Sequence, residues 1–167
     1  MQDAGEAFWK FSLKFYDRPD ISDLLIGLQD EQSVDVNLVL FLCWCGATGR
    51  MPIDEGQLSA AQDSIAVWQA DVTAPLRQIR RRIKGGVANL ALEATDHFRE
   101  EIKRLELASE RIVQFVLAKI APPVRSAGSA ADVATLLQMY FATLNLPDSP
   151  LVRASVERLA EACSLEA

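Results

Sequence analysis

The chain has 167 residues, of which 50% are apolar and 24% are charged, and its formal net charge is −6 at pH 7. This composition is typical of a globular domain and too apolar for a disordered chain, and a length close to about 150 residues favours a single domain. The acidic balance argues against a nucleic-acid-binding protein that works by bulk charge, and no segment has the ~20 consecutive apolar residues of a transmembrane helix.

Apolar residues recur at spacings of three and four along the whole chain, which predicts an all-α fold. The first predicted helix spans residues 4–16 and is ended by Pro19, because the residue before a proline is pushed away from the α region. A short second helix covers residues 22–29. The third runs from residue 35 or 36 to residue 46, and its apolar side chains surround the axis, which predicts a central helix covered on all sides.

A capping box over residues 54–57 opens the fourth helix. Its apolar register continues past Pro75, and we expect that proline to kink or divide the helix because it removes one backbone hydrogen bond. A tight turn at Gly85 and Gly86 leads to a fifth helix over residues 88–120, so that the two helices form a long antiparallel hairpin. We expect the fifth helix to pack against the fourth along a row of helical spacing, the seam. This row consists of Phe98, Ile102, Leu105, Ser109, Ile112 and Val116.

Two more helices complete the chain. One extends from a cap at Ser129 to residue 144, and the last spans residues 151–163 after a cap at Ser149. Residues 122–128 are a possible short linker to these two helices, which are too short to bury their own apolar faces and should dock on the rest. The sequence therefore predicts one helical domain over residues 1–167, a six- to seven-helix bundle with a long hairpin and a central apolar helix.

Several common catalytic and cofactor motifs are missing from the sequence, including the glycine-rich phosphate loops, the GxSxG elbow and the two-histidine zinc motif. His97 is the single histidine, and with Glu93, Glu100 and Glu101 it resembles half of a metal site in a helical bundle. The facing helix offers no matching carboxylates near it. We therefore expect a solvated surface there, with no metal and no cofactor.

The three cysteines do not form a redox or zinc motif. Cys43 and Cys45 are two residues apart, so on a helix they point to nearly opposite sides, and Cys163 is distant in sequence. We expect buried free thiols, which are typical of a reducing cytoplasm. The acidic amino-terminal residues lack the basic and leucine-rich regions of a signal peptide, which also predicts a cytoplasmic location.

A basic helix face follows Pro75. Arg77, Arg80, Arg81 and Lys84 are spaced at i, i+3, i+4 and i+7, so they share one side of the helix. Guanidinium groups in this arrangement suit a phosphate or carboxylate ligand. The alternative is structural: cations are favoured near a helix carboxyl end, and the acidic start of the fifth helix (Glu93, Asp96, Glu100 and Glu101) would neutralise them.

The first 45 residues hold seven of the twelve aromatic side chains, together with polar groups in unusual positions for a core. One interpretation is a pocket with aromatic walls and carboxylate or amide groups at its mouth, formed by Trp9, Ser12, Tyr16, Asp30, Asp35, Asn37 and Trp44. The other is an aromatic core in which Asp35 caps the third helix and Asn37 finds buried partners. A hard-cation site at Asp30, Asp35 and Asn37 is disfavoured because no glycine-punctuated loop is present.

Three segments resemble an uncharacterised family of short bacterial proteins, a domain of unknown function. They are FWxFSLxFY at residues 8–16, LQD at residues 28–30 and DVNLxLFLxW at residues 35–44. The resemblance implies a small cytoplasmic helical protein without an assigned activity. It draws attention to the polar and aromatic residues within those segments.

Two functions remain open from the sequence. The first is a non-enzymatic interaction or assembly module that binds another protein or forms a homodimer. This function is favoured because catalytic motifs are missing and the apolar fraction is high. The alternative is a bundle, binding or enzymatic, in which the aromatic pocket holds an apolar body while Arg77, Arg80 and Arg81 hold an anionic head. The alternative requires the basic face to lie near the start of the third helix.

Overall fold

The computed structural model describes residues 3–146 and 148–164. Within these ranges no strand occurs, and the chain forms seven continuous helices. One of the seven consists of two α-helical parts, α4 and α5, joined without a break by a π-helical segment. The elements are α1 (Ala4–Tyr16), α2 (Pro19–Gln32), α3 (Val36–Ala47), α4 (Glu55–Trp68), the π segment (Gln69–Thr73), α5 (Ala74–Arg82), α6 (Leu92–Ile120), α7 (Ala130–Thr143) and α8 (Pro150–Ser164). The predicted all-α bundle is confirmed.

Helix α3 is the centre of the molecule. Ten of its twelve residues are buried, and α1, α2, α6, α7 and α8 all pack against it. Helix α7 approaches most closely at Gly46, where an added Cβ would lie 2.6 Å from the backbone nitrogen of Val133. The close approach therefore depends on the missing side chain. The prediction of a central apolar helix is confirmed.

Aromatic packing joins α1 to α3. Phe8 is fully buried and stacks on Trp44 with 5.0 Å between ring centroids, while Phe41 meets Phe8 edge-on at 6.0 Å. The Arg50 guanidinium lies 4.4 Å from the centroid of the Trp44 ring. This cluster forms the core on one side of α1 and leaves the other side of α1 for the site described below.

Pro75 does not divide its helix. The π segment directly precedes it, and the Ala74 N–H donates to the Gln69 carbonyl, five residues back. Proline has no N–H and its ring crowds the preceding turn, and the wider π turn accommodates both effects within one continuous rod. Division of the helix, one of the two expected effects of Pro75, is therefore wrong, and the helical pitch changes locally before the proline.

Both ends of α2 and the start of α6 differ from the prediction, and α2 extends to Gln32 instead of residue 29. Helix α2 begins at Pro19 and not at residue 22, because proline suits the first helical position, where no N–H is needed. Helix α6 begins at Leu92 and not at residue 88. Residues 87–91 form turns instead, with Asn89 at a left-handed φ of 66°. The connection between α5 and α6 is consequently longer than the two-glycine turn suggested.

Half of the predicted seam of α6 is wrong, and the other half, which includes the partly buried Val116, is covered. Phe98 and Leu105 are each 55% exposed and Ile112 is 48% exposed, whereas Ile102 and Ser109 are buried. Helix α6 packs on α1 and α3 as well as on α4 and α5, so the buried face is rotated away from the apolar row. The buried residues on α6 are Thr95, Ile102, Glu106, Ser109, Val113, Gln114, Leu117 and Ala118.

The two carboxyl-terminal helices dock on the rest of the bundle, α7 against α3 and α8 against α2, α3 and α7. The possible linker, residues 122–128, is held by hydrogen bonds to the α3–α4 connection. Arg50 Nη1 donates to the Pro122 carbonyl at 3.0 Å, and the Arg125 N–H donates to the Gly49 carbonyl at 3.0 Å. None of the helices in the described ranges has both the length and the apolar character needed to cross a bilayer.

Candidate functional site

Helices α1, α2, α3, α5 and α6 enclose a cavity of about 710 Å³, a volume typical of small-molecule sites. Nine of the eleven residues singled out in the sequence line it: Trp9, Ser12, Tyr16, Asp30, Asn37, Arg77, Arg80, Arg81 and Lys84. The basic face of α5 therefore does lie beside the aromatic residues of α1 and the start of α3. This juxtaposition is what the ligand-binding interpretation required.

Two of the singled-out residues lie elsewhere. Trp44 is 2% exposed and belongs to the aromatic core, because α3 turns it towards Phe8 and away from the cavity. Asp35 lines a neighbouring cavity of about 350 Å³. Its Oδ1 accepts hydrogen bonds from the Asn37 and Leu38 N–H groups, so it caps α3 as predicted, and burial raises its pKa.

The π segment determines where α5 points. Trp68 Nε1 donates to Ser109 Oγ at 3.0 Å, and the Thr73 and Ser109 hydroxyls are 2.6 Å apart. Gln69 Nε2 donates to Asp35 Oδ2 at 2.8 Å. These bonds tie the turn to α6 and to the start of α3, and the basic face of α5 is thereby directed into the cavity.

A charge cluster crosses the cavity between α5 and α6. Arg77 donates through Nε to Glu106 and through Nη2 to Glu110, both at 3.0 Å. Arg80 donates to both oxygens of Glu106, at 2.5 Å and 3.2 Å. The Glu106 side chain is only 8% exposed, so this is a buried ion-pair network rather than a surface one.

The carboxylates that neutralise α5 are not the predicted ones at the start of α6. The residues expected in this role, Glu93, Asp96, Glu100 and Glu101, lie nearer the α5–α6 connection and do not pair with the α5 arginines among the described residues. Because residues 83–91 separate the two helices, Arg77 lies opposite Glu106 and Glu110, further along α6. The long connection thus shifts the axial register of the hairpin.

The two cavity glutamates have opposite pKa shifts. Burial alone would raise the pKa of Glu106, but hydrogen bonds and charges from Arg80 and Arg77 outweigh it and hold that pKa below its usual value. Burial raises the pKa of Glu110, and Glu106 raises it further while Arg77 opposes the change. Burial also raises the pKa of Tyr16, which faces both glutamates. The environment therefore favours an ionised Glu106 and disfavours an ionised Glu110.

Cations outnumber carboxylates in the cavity lining. The six cations are Arg77, Arg80, Arg81, Lys84, Arg99 and Lys103, and the three carboxylates are Asp30, Glu106 and Glu110. The Arg81–Asp30 pair, at 2.7 Å, is nearly half-exposed on both sides. Lys84 has no ion pair with any residue in the described ranges, and Arg99 and Lys103 reach only Glu100, which lies outside the lining. The lining carries three surplus positive charges in an acidic chain.

The cavity has a charged mouth and a buried polar floor. We define the mouth as Arg81, Lys84, Arg99 and Lys103 and the floor as Ser12, Asn37 and Gln114, which are 3%, 4% and 2% exposed. At the floor, Gln114 Nε2 donates to Asn37 Oδ1 at 3.0 Å. The lining also contains six apolar residues, which we call the walls: Trp9, Leu13, Ile26, Val36, Leu40 and Leu107.

Sequence reasoning missed every cavity residue of α6. These are Arg99, Lys103, Glu106, Leu107, Glu110 and Gln114; apart from the adjacent pair Glu106 and Leu107, they follow one another at three or four residues along one side of the helix. Their spacing is the available signal, but a polar row of this kind is ordinarily the solvated face of an amphipathic helix. His97, Glu93 and Glu100 are exposed on α6, and the described residues contain no group of three or more potential ligands that could hold a metal ion.

Fold and site together define an all-α protein with a cation-lined cavity between its central helix and a helical hairpin. The chain belongs to the family described as Protein of unknown function (DUF2390), whose model matches residues 7–117. This range includes every residue that lines the cavity. The resemblance seen in the sequence is thereby confirmed. No curated protein and no solved structure matches the chain.

Proposed function

We propose that the protein binds a small amphipathic anion, with its anionic head at the mouth and its apolar body along the walls. The observation that carries this proposal is the surplus of three positive charges in the lining of an otherwise apolar cavity, within a chain whose net charge is −6. Lys84 has no ion pair within the described ranges, and Arg99 and Lys103 share the single carboxylate of Glu100, so an anionic ligand would complete the charge balance at the mouth.

The cations divide into two sets with different roles. Arg77 and Arg80 are committed to Glu106 and Glu110 inside the cavity, so they are already neutralised. The mouth cations are not matched in this way. The exposed Arg81–Asp30 pair contributes little to stability, because water screens it, and Arg81 can therefore exchange Asp30 for a ligand anion at small cost.

The dimensions favour an elongated ligand. Lys103 at the mouth and Gln114 at the floor lie on the same helix, eleven residues apart, which corresponds to about 16 Å along its axis. Over this length α6 presents Leu107 to the cavity together with the arginine-paired carboxylates Glu106 and Glu110. A compact inorganic anion would contact the mouth alone and would leave the walls uncovered, so an anion with an apolar body makes better use of the site.

Isothermal titration calorimetry with alkyl phosphates and alkyl carboxylates, from hexyl to dodecyl, tests the proposal. We expect binding that strengthens with chain length until the walls are covered, with no comparable binding of inorganic phosphate or of the uncharged alkyl alcohols. If none of the alkyl anions binds, or if the alcohols bind as tightly, the proposal is wrong.

Two charge-removing variants provide a matched control. Lys84→Gln removes a mouth cation that lies in the turn following α5 and not on the predicted helical face, whereas Arg82→Gln removes an exposed cation at the end of α5 that is outside the lining. We expect the first to weaken alkyl phosphate binding about tenfold, as the loss of a charged hydrogen bond does, and the second to change it little. Equal effects would indicate attraction by general surface charge and would contradict a site at the mouth.

Self-association is a second candidate function, favoured by one observation. Phe98, Leu105 and Ile112 are about half-exposed and are spaced by seven residues along α6, which is the spacing of a helix–helix seam. In a homodimer this row would pack against its copy. Light scattering after gel filtration tests this homodimer. Leu105→Glu should convert the dimer to a monomer, and the control Val67→Glu, on α4, should not. A wild-type protein that is monomeric would refute the homodimer.

A cytoplasmic location is part of this proposal. Cys43, Cys45 and Cys163 are all buried free thiols, and burial raises the pKa of Cys43 and Cys45, which makes them poor nucleophiles. Proteins that keep unpaired cysteines are typical of reducing compartments. Fractionation of cells that express the tagged protein tests this point, and recovery from an oxidising compartment would contradict it.

A further inference from the structure

The cavity floor contains polar atoms that have no hydrogen-bond partner. Four buried side-chain atoms lack a partner among the described residues, and three of them belong to residues that line this cavity: Ser12 Oγ, Arg99 Nε and Gln114 Oε1. A buried polar atom without a partner loses its hydrogen bonds to water and gains none in return, so such atoms are rare in folded proteins. Three of the four atoms therefore belong to the lining of one cavity, where a bound molecule could reach them.

The Gln114 amide is held in one orientation. Its Nε2 donates to Asn37 Oδ1 at 3.0 Å, and Gln114 is only 2% exposed. Turning the Gln114 amide over by itself would bring its oxygen against the Asn37 oxygen, which is repulsive. The oxygen left without a partner, Gln114 Oε1, is an acceptor and therefore requires a donor.

We propose that the bound anion carries a hydrogen-bond donor, such as a hydroxyl group, at the end of its apolar body remote from the anionic head, and that Gln114 Oε1 accepts this hydrogen bond. This inference rests on the proposed binding of an amphipathic anion. It narrows the ligand class to elongated molecules with a charged group at one end and a neutral polar group at the other. The nearby Ser12 hydroxyl, which can donate or accept, adds polarity to the same floor.

The residues along α6 support this order of contacts. Lys103, Leu107, Glu110 and Gln114 follow one another at spacings of four, three and four on a single side of the helix. A ligand aligned with α6 meets a cation first, then Leu107 and the arginine-paired Glu110, and finally the floor acceptor. Plain alkyl anions fit the first two regions and leave Gln114 without its donor.

The test compares three probes in calorimetric titrations at each chain length: an alkyl phosphate, its ω-hydroxy derivative and its ω-methoxy derivative. The hydroxyl group donates and the methoxy group only accepts. At the chain length that reaches the floor, we expect the ω-hydroxy probe to bind about tenfold more tightly than the other two, as a polar site discriminates against an analogue that lacks its hydrogen-bonding group.

Gln114→Met removes the acceptor at similar volume and should abolish the preference for the hydroxyl group while the plain alkyl phosphate still binds. Gln78→Met, an exposed substitution on α5 outside the lining, should leave the preference intact. Because the wild-type comparison needs no variant, the test survives if Gln114→Met fails to fold.

Equal binding of the plain and ω-hydroxy probes at every length would overturn this inference. So would equal gains from the methoxy and hydroxyl groups, which would indicate that both floor amides are reversed. In either case, binding that still depends on Lys84 would leave the proposed function standing. Failure of every alkyl anion to bind would instead remove both proposals.

Discussion

Replacing Glu106 by glutamine perturbs the charge cluster inside the cavity. The Glu106 side chain is 8% exposed and accepts three hydrogen bonds from Arg77 and Arg80. Removing one partner of a buried ion pair costs about 3–5 kcal/mol, because the remaining charge stays buried. The two arginines keep about a fifth of their side-chain surface exposed, and Arg77 keeps Glu110. We therefore expect a loss near the lower end, about 3 kcal/mol at pH 7.

Glu110→Gln is the matched control, since it makes the same chemical change one turn further along α6. Burial raises the pKa of Glu110, so ionisation of Glu110 is less favourable in the folded protein than in the unfolded chain. A neutral glutamine removes that buried charge and keeps the shape of the side chain. We expect the free energy of unfolding to stay unchanged or to increase, in contrast to the loss at Glu106.

The pH dependence of the unfolding free energy has opposite signs for the two residues. The folded-state pKa of Glu106 lies below the ordinary value of 4.5, so its stabilisation is present above that pH and is lost as the pH falls through the lowered pKa. The folded-state pKa of Glu110 lies above 4.5, so its ionisation destabilises the protein as the pH rises through the raised pKa. The defect of Glu106→Gln should therefore shrink in acid, while any gain from Glu110→Gln should appear at higher pH.

Urea unfolding followed by far-UV circular dichroism measures these differences. For slopes of about 1–3 kcal/mol per molar urea, a loss of about 3 kcal/mol lowers the midpoint by roughly 1–3 M. A midpoint that Glu106→Gln leaves unchanged, or a loss from Glu110→Gln as large as that from Glu106→Gln, would refute the reasoning about this cluster.

Three further predictions concern the fold and are measured by the same unfolding experiment. Asp35→Ala should cost about 1–2 kcal/mol, because it removes the cap of α3, and a cost near zero would contradict that role. Gly46→Ala should cost about 1–3 kcal/mol because the added Cβ would meet the α7 backbone at 2.6 Å, whereas Gly27→Ala meets no atom within 4 Å and should stabilise α2 by up to about 1 kcal/mol. Ile102→Ala should cost about 2–4 kcal/mol and Leu105→Ala about 0.5 kcal/mol or less, and equal costs would contradict the buried face of α6.

The helices could be predicted because their signals are local. Asp35, Asp54 and Ser129 were identified as caps from sequence, and each accepts a hydrogen bond from a backbone N–H in the first turn of its helix. Capping involves residues within one turn, so no knowledge of distant parts of the chain is needed. The run of apolar residues in α3 likewise required burial on all sides wherever the other helices lay.

The buried face of α6 could not be predicted in the same way. Both Leu105 and Ile102 belong to rows of helical spacing, yet one is 55% exposed and the other 7%. Glu106 is buried because Arg77 and Arg80 face it, and neither arginine is near it in sequence. Periodicity describes one helix at a time, and the neighbours of a helix decide which of its rows is covered.

The candidate site likewise has features that local spacing predicts and features that only the packing of the helices decides. Helical spacing predicted that Arg77, Arg80, Arg81 and Lys84 share one face. The polar and aromatic residues of α1 and α3 were grouped by their concentration in the first 45 residues. That these groups share a cavity, and that Trp44 does not, depended on how the helices are rotated about their axes. The α6 residues of the cavity were missed because a buried polar row and a solvated one have the same spacing.

The amino-acid sequence by itself determined the helical class, the central position of α3 and the caps at which helices begin, since propensity, capping and periodicity act over a few residues. Tertiary structure alone decided that Arg77 meets Glu106 and that Gln114 meets Asn37, 77 residues away. Those pairings depend on the rotation and axial register of whole helices. Residues 83–91 and the π segment set that register for the hairpin, and the summed packing of all neighbouring helices holds it in place.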